Sequence, residues 1–110
     1  PGNRMHLNGT GLEVKGSAQP IVEDNDVSHN HQVGVCIGGT ARGEFKDNVF
    51  CENLGPNVKV GMSAMPLLFS NTISGGQSHG IVFSGSAKGT LLKNRIQHNT
   101  LAQVYIYMYI

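Results

Sequence analysis

The chain has 110 residues, a formal net charge of +1 and 14% charged residues. That is enough for one small domain with a modest core, and it lacks the clustered basic surface that phosphate binding requires. No apolar run has the length of a bilayer span, so the expected partner is a protein, with no role for nucleic acid or membrane.

In chain order, the first apolar piece is "NRMHLN" at residues 3–8, followed by Leu12, Val14 and then Ala18 in "SAQP". The next stretch begins at Val22 and runs through Asn25, Val27, Asn30, Val35, Ile37 and Ala41. The third repeats it as Phe45, Asn48, Phe50, Asn53, Val58, Val60 and Ala64. The fourth reads Leu68, Asn71, Ile73, Gly76, Ile81, Phe83 and Ala87, and the fifth Leu91, Asn94, Ile96, Asn99, Val104 and Ile106. From Val22 onward every column recurs at 23 residues without insertion. The opening piece fits the same template if one loop residue is missing before Gly11.

Each 23-residue line holds three short apolar pieces of period two, or pieces too short for any period, and none has helical i, i+3, i+4 spacing. Gly, Asn and Pro separate the pieces, where bends are expected. Three short strands per line, repeated strictly, predict an all-β, single-stranded, right-handed parallel β-helix. The predicted solenoid has four to five coils and forms one repeat domain over residues 1–110. Residues one period apart then become neighbours at about 4.8 Å. Asn25, Asn48, Asn71 and Asn94 are predicted to form an internal amide ladder, with each Asn taking the left-handed backbone of a tight bend. The alanine column reads as a crowded corner.

Pro and Gly alternate at one phase in "SAQP", "TARG", "SAMP" and "SAKG" (Pro20, Gly43, Pro66, Gly89). With "N-x-[VFI]-x-x-N" and "G-[VI]-x-[IF]", this pattern resembles the β-helix repeats of the F-box-only protein family. The resemblance implies a protein-recognition scaffold like the substrate-binding β-helix of an F-box ubiquitin ligase, with no cofactor and no catalytic residues. The chain has no F-box segment, so it could hold a substrate but not assemble a ligase. Two cysteines at different phases, Cys36 and Cys51, give neither a disulfide framework nor a metal motif. Reduced thiols fit a cytoplasmic or nuclear setting.

The alternative is a carbohydrate-binding β-helix, or one with polysaccharide lyase or epimerase activity, which needs carboxylates clustered on one face. Asp24, Asp26 and Asp47 are its best cluster, yet Lys93 and Arg95 occupy the same columns further along. His29, Glu52 and His31 are a second group worth testing as cation ligands. No nucleophile or phosphate-loop motif occurs. Outward phases carry apolar residues at Met62, Met65, Phe69, Val82, Leu92, Tyr105 and Tyr107. Among these, Met65, Phe69 and Leu92, with Arg42 and Lys88 flanking Met65, are the candidate partner-binding residues. Glu23 and Lys46 are expected to form a surface ion pair. The uncharged "VYIYMYI" at residues 104–110 lacks a cap, which points to end-to-end self-association or to excision from a longer solenoid.

Overall fold

The structure, a computed structural model, describes residues 2–107, and of Tyr107 the backbone only. Its strands, in chain order, are β1 (Arg4–Met5), β2 (Leu12–Val14), β3 (Ile21–Glu23), β4 (Asp26–Ser28), β5 (Val35–Ile37), β6 (Glu44–Lys46) and β7 (Val49–Cys51). There follow β8 (Val58–Val60), β9 (Leu67–Phe69), β10 (Thr72–Ser74), β11 (Ile81–Ser84), β12 (Thr90–Leu92), β13 (Arg95–Gln97) and β14 (Val104–Tyr107). Every third strand pairs, so the order in the three sheets is β1-β4-β7-β10-β13, β2-β5-β8-β11-β14 and β3-β6-β9-β12. All pairings are parallel and follow the sequence columns, as in Val27↔Phe50, Phe50↔Ile73 and Ile73↔Ile96. The result is a solenoid, with each coil contributing one short strand to each of three sheets.

The register confirms the missing loop residue. Arg4 pairs with Asp26, 22 residues on, whereas Leu12 pairs with Val35 at the full 23. The deletion is therefore absorbed in the loop between β1 and β2, where a bend can shorten without moving any inward side chain to the outer face.

Alternation explains the core. In β5, β8 and β11 the first and third residues are buried, and in β6, β7, β9 and β10 the middle one is. Stacked inward columns of Val27, Phe50 and Ile73, of Val35, Val58 and Ile81, and of Phe45 and Leu68 are fully shielded from solvent. Ala41 and Ala64 are likewise fully buried at the third corner. Burial of such Val, Leu, Ile and Phe side chains stabilises by roughly 1.5–3 kcal/mol each.

The corners correct one expectation. The ladder asparagines are not the left-handed residues; the residue before each one is. Asp24, Asp47, Ser70 and Lys93 have φ near +55° (55, 56, 55 and 55). A second left-handed column precedes Asn30, Asn53, Gly76 and Asn99, at His29, Glu52, Gly75 and His98. A third runs through Gly16, Gly39, Met62 and Gly85. At the two Asn corners the left-handed side chain is exposed, or half-buried at Ser70, wherever the residue is not glycine. The Asn beside it keeps an ordinary backbone and turns its amide inward.

Candidate interaction surface

Two amide ladders hold the coils in register. In the first, the backbone N–H and Nδ2–H of Asn25 both donate to Oδ1 of Asn48, at 3.0 and 3.2 Å. Asn48 repeats this onto Asn71 at 2.9 and 3.0 Å, and Asn71 onto Asn94 at 2.9 and 3.1 Å. The second Nδ2 hydrogen of Asn48, Asn71 and Asn94 goes back to the carbonyls of Val22, Phe45 and Leu68. Asn48 and Asn71 therefore use both donors and both lone pairs of their carboxamides. Asn3 joins the same ladder, donating to Asn25.

The second ladder, which the sequence reading does not predict, starts from the Asn30 column. Asn30 donates from N and Nδ2 to Oδ1 of Asn53, both at 2.9 Å. One period beyond Asn53 stands Gly76, which offers no amide. Asn57, from a different column, fills the gap: its Oδ1 accepts from Asn53 Nδ2 at 2.8 Å, and its Nδ2 donates to Asn99 Oδ1 at 2.8 Å. Gln103, in the Asn57 column, extends the series by accepting from Asn99 Nδ2 at 2.9 Å. Residues 25, 30, 48, 53, 57, 71 and 99 are all buried. Their amides are spent on the fold, which leaves the outer faces to carry any binding.

On the third corner, backbone N–H groups of Arg42, Met65 and Lys88 donate to Ala18, Ala41 and Ala64 of the preceding coil. The three side chains therefore stand in line on consecutive coils, with Met65 41% exposed and Arg42 and Lys88 on the surface. Next to this row the Pro/Gly alternation shapes the wall. A Cβ on Gly43 would lie 2.6 Å from the Pro20 carbonyl oxygen, so only glycine fits beneath that proline. The missing side chain leaves a notch between Pro20 and Pro66. A groove of about 450 Å³ opens there, lined by Pro20, Ile21, Arg42, Glu44, Met65 and Leu67 among others. Phe69 and Leu92 pair in register at the far end of the same sheet, outside that groove. Leu92 is exposed, while Phe69 is half-buried with Lys93 Nζ 5.9 Å from its ring centre.

The remaining candidates separate. Asp24 and Asp47 occupy the same corner on successive coils as exposed left-handed residues, and Asp26 lies on β4 beyond the corner. One oxygen of Asp26 is buried without a hydrogen-bond partner. His29 Nε2 lies 2.6 Å from Glu52 Oε2, and with His31 and Gln77 these residues line a hollow of about 420 Å³ above Gly75. Among the described residues, no three His, Cys, Asp or Glu side chains are placed to hold a metal ion. Glu23 and Lys46 stand opposite one another in register, but the expected ion pair is absent among the described contacts within 4.0 Å. Both are long surface side chains, and holding them together costs entropy that a solvated pair barely offsets.

One groove lay outside the candidate set. The His79 and Tyr105 rings stack at 4.6 Å with 13° between planes, beside Lys59, Val82 and Ser84. His79 Nδ1 accepts the Ala102 N–H at 3.1 Å. The thiols of Cys36 and Cys51 are free, and burial pushes both above their ordinary value. The side chain of Tyr107 and residues 108–110 of "VYIYMYI" lie outside the described residues; Tyr105 and Ile106 are exposed. No helix among the described residues is long and apolar enough to cross a membrane.

The chain matches the family described as right handed beta helix region over residues 2–109. No curated protein and no solved structure gives a significant match to it.

Proposed function

The chain belongs to the right-handed β-helix family, and from that premise we propose that it is a non-catalytic scaffold for protein recognition. The reading is that it holds a partner as the substrate-binding β-helix of an F-box ubiquitin ligase does, in the cytoplasm or nucleus. The observation that carries it is the groove beside the Pro/Gly corner, where Arg42 and Met65 stand in line on adjacent coils among Pro20, Ile21 and Leu67. A rigid wall with an exposed apolar anchor and a flanking cation suits a protein segment. Asp24 and Asp47 stack at one corner with Asp26 on the adjoining strand, and none of the grooves described above is lined by them.

The test is quantitative interaction mass spectrometry on cells expressing the wild type and an Arg42→Glu/Met65→Glu variant, matched for thermal stability. Partners enriched with the wild type should be lost with the variant and kept by Asp24→Asn/Asp47→Asn. Retention of every partner by the groove variant would overturn the reading. So would polysaccharide cleavage that disappears when Asp24, Asp26 and Asp47 become Asn.

A second reading, carbohydrate binding, is favoured by the stacked His79–Tyr105 pair beside Lys59 and Ser84. Flat rings with polar neighbours suit the apolar face and hydroxyl edge of a sugar. Oligosaccharide binding lost on Tyr105→Ala would establish it.

A further inference from the structure

Two rows along the Pro/Gly corner share a spacing. Arg42 and Lys88 are two coils apart in one row with Met65 between them, which sets their backbones about 9.6 Å apart at the usual inter-strand distance. The notch at Gly43 separates Pro20 from Pro66 by the same two coils. An extended β-strand laid along the solenoid axis cannot match this repeat. Its same-face side chains recur at about 6.8 Å, and residues three apart face opposite ways. A polyproline II segment can, because it has three residues per turn and rises about 3.1 Å per residue, so side chains at i and i+3 share a face about 9.3 Å apart.

Charge selects the residue type. Among the described residues neither Arg42 nor Lys88 has a carboxylate within 4.0 Å, so both cations are free to pair with a ligand. Glu44 faces the groove from the neighbouring row, with Ile21 and Leu67 before and after it in register. It repels acid there and so confines ligand carboxylates to the Arg42–Lys88 row. We propose that this corner binds an acidic polyproline II segment of a partner protein, with carboxylates at i and i+3 facing Arg42 and Lys88 and the backbone between them crossing over Met65. This rests on the recognition reading above and deepens it by naming the segment's chemistry.

The experiment is fluorescence anisotropy of the intact chain with three synthetic proline-rich peptides. One carries Glu at i and i+3, one Glu at i and i+2, and one Lys at i and i+3. The first should bind at least tenfold more tightly than the other two and weaken at least threefold from 50 to 300 mM salt. Arg42→Ala/Lys88→Ala, with unchanged circular dichroism and melting, should abolish that preference, and Glu44→Gln should leave or strengthen it. Equal affinity for the three peptides, or binding that survives the double substitution, would overturn the proposal. If the peptides fail while the Arg42→Glu/Met65→Glu variant still loses cellular partners, the polyproline inference falls and the recognition reading stands. Loss of neither removes both.

Discussion

The carboxamide of Asn57 occupies the space that Gly76 leaves empty. A Cβ on Gly76 would lie 2.7 Å from Asn57 Nδ2 and 3.0 Å from Asn99 Oδ1. The complement holds one coil earlier, where a Cβ on Gly34 would meet Asn53 Nδ2 at 2.5 Å. One coil has thus exchanged its Gly and Asn between two columns and kept the ladder continuous.

A double-substitution cycle should expose this exchange. Gly76→Asn alone should destabilise by about 1–3 kcal/mol through overlap with Asn57. Asn57→Gly alone should cost about 2–4 kcal/mol, because Asn53 Nδ2 and Asn99 Oδ1 each lose one of two buried bonds, keeping only those to the Val27 carbonyl and the Gly76 N–H. The double substitution rebuilds the arrangement seen at Gly34 and Asn53, and should recover at least about 1 kcal/mol relative to the sum. Urea midpoints at constant slope are the measurement, and strict additivity would contradict the account.

Position along the first ladder should grade the cost of losing an amide. Asn71→Ala strands two donors of Asn48 and the Phe45 carbonyl in the interior, and should cost about 3 kcal/mol or more. Asn94 is only half-buried, so water can replace its bonds, and Asn94→Ala should cost about 1–2 kcal/mol. Equal effects at both positions, read from thermal or urea unfolding, would show that ladder burial does not govern the energetics.

Two left-handed glycines should respond unequally to a methyl group. Gly16 has φ of 68° and nothing within 4 Å of an added Cβ, so Gly16→Ala should cost only the backbone term of about 1 kcal/mol. Gly43 has φ of 128° and the Pro20 carbonyl oxygen at 2.6 Å, so Gly43→Ala adds overlap to strain and should cost about 2–4 kcal/mol. Pairing Gly43→Ala with Pro20→Ala should recover part of the loss, since it removes the proline ring carbon 2.9 Å from the added methyl.

The thiols give an alkaline signature. Desolvation raises both above the ordinary 9.0; at Cys36 Lys59 opposes this and Glu13 adds to it, and at Cys51 Asp26 and Glu52 add to it. A raised thiol ionises later in the folded chain than in the unfolded one. Its contribution is therefore complete below the unfolded value and is lost as pH climbs through the folded value. Iodoacetamide should modify the native thiols more slowly than the urea-unfolded ones at pH 8. The urea midpoint should fall from pH 8 to pH 10 by more in the wild type than in Cys36→Ala/Cys51→Ala. An identical fall in both would refute the assignment.

The period was legible because insertion or deletion breaks three inward columns at once, so Val27, Phe50, Ile73 and their counterparts keep strict spacing. The first ladder was legible for the same reason. The Asn57 substitution was written in the chain as a paired exchange with Gly76, but it joins two columns, and reading one column at a time hides it. The left-handed corners were not legible, since Asp24, Ser70, Lys93, His29, Glu52 and Met62 share no chemistry. Their side chains point outward, and only the backbone is constrained. Likewise Arg42, Met65 and Lys88 were visible as a row, but the groove beside them depends on how closely Gly43 sits beneath Pro20.

Apart from β1 with β4, every strand pairing joins residues 23 positions apart. The loop that must close to lay one turn on the next is thus nearly constant along the chain. Folding speed should then depend on that fixed closure step and on where the first two turns meet, rather than on total length. Growth would proceed outward from such a nucleus one turn at a time, and whole-turn duplication would lengthen the rod without slowing its start.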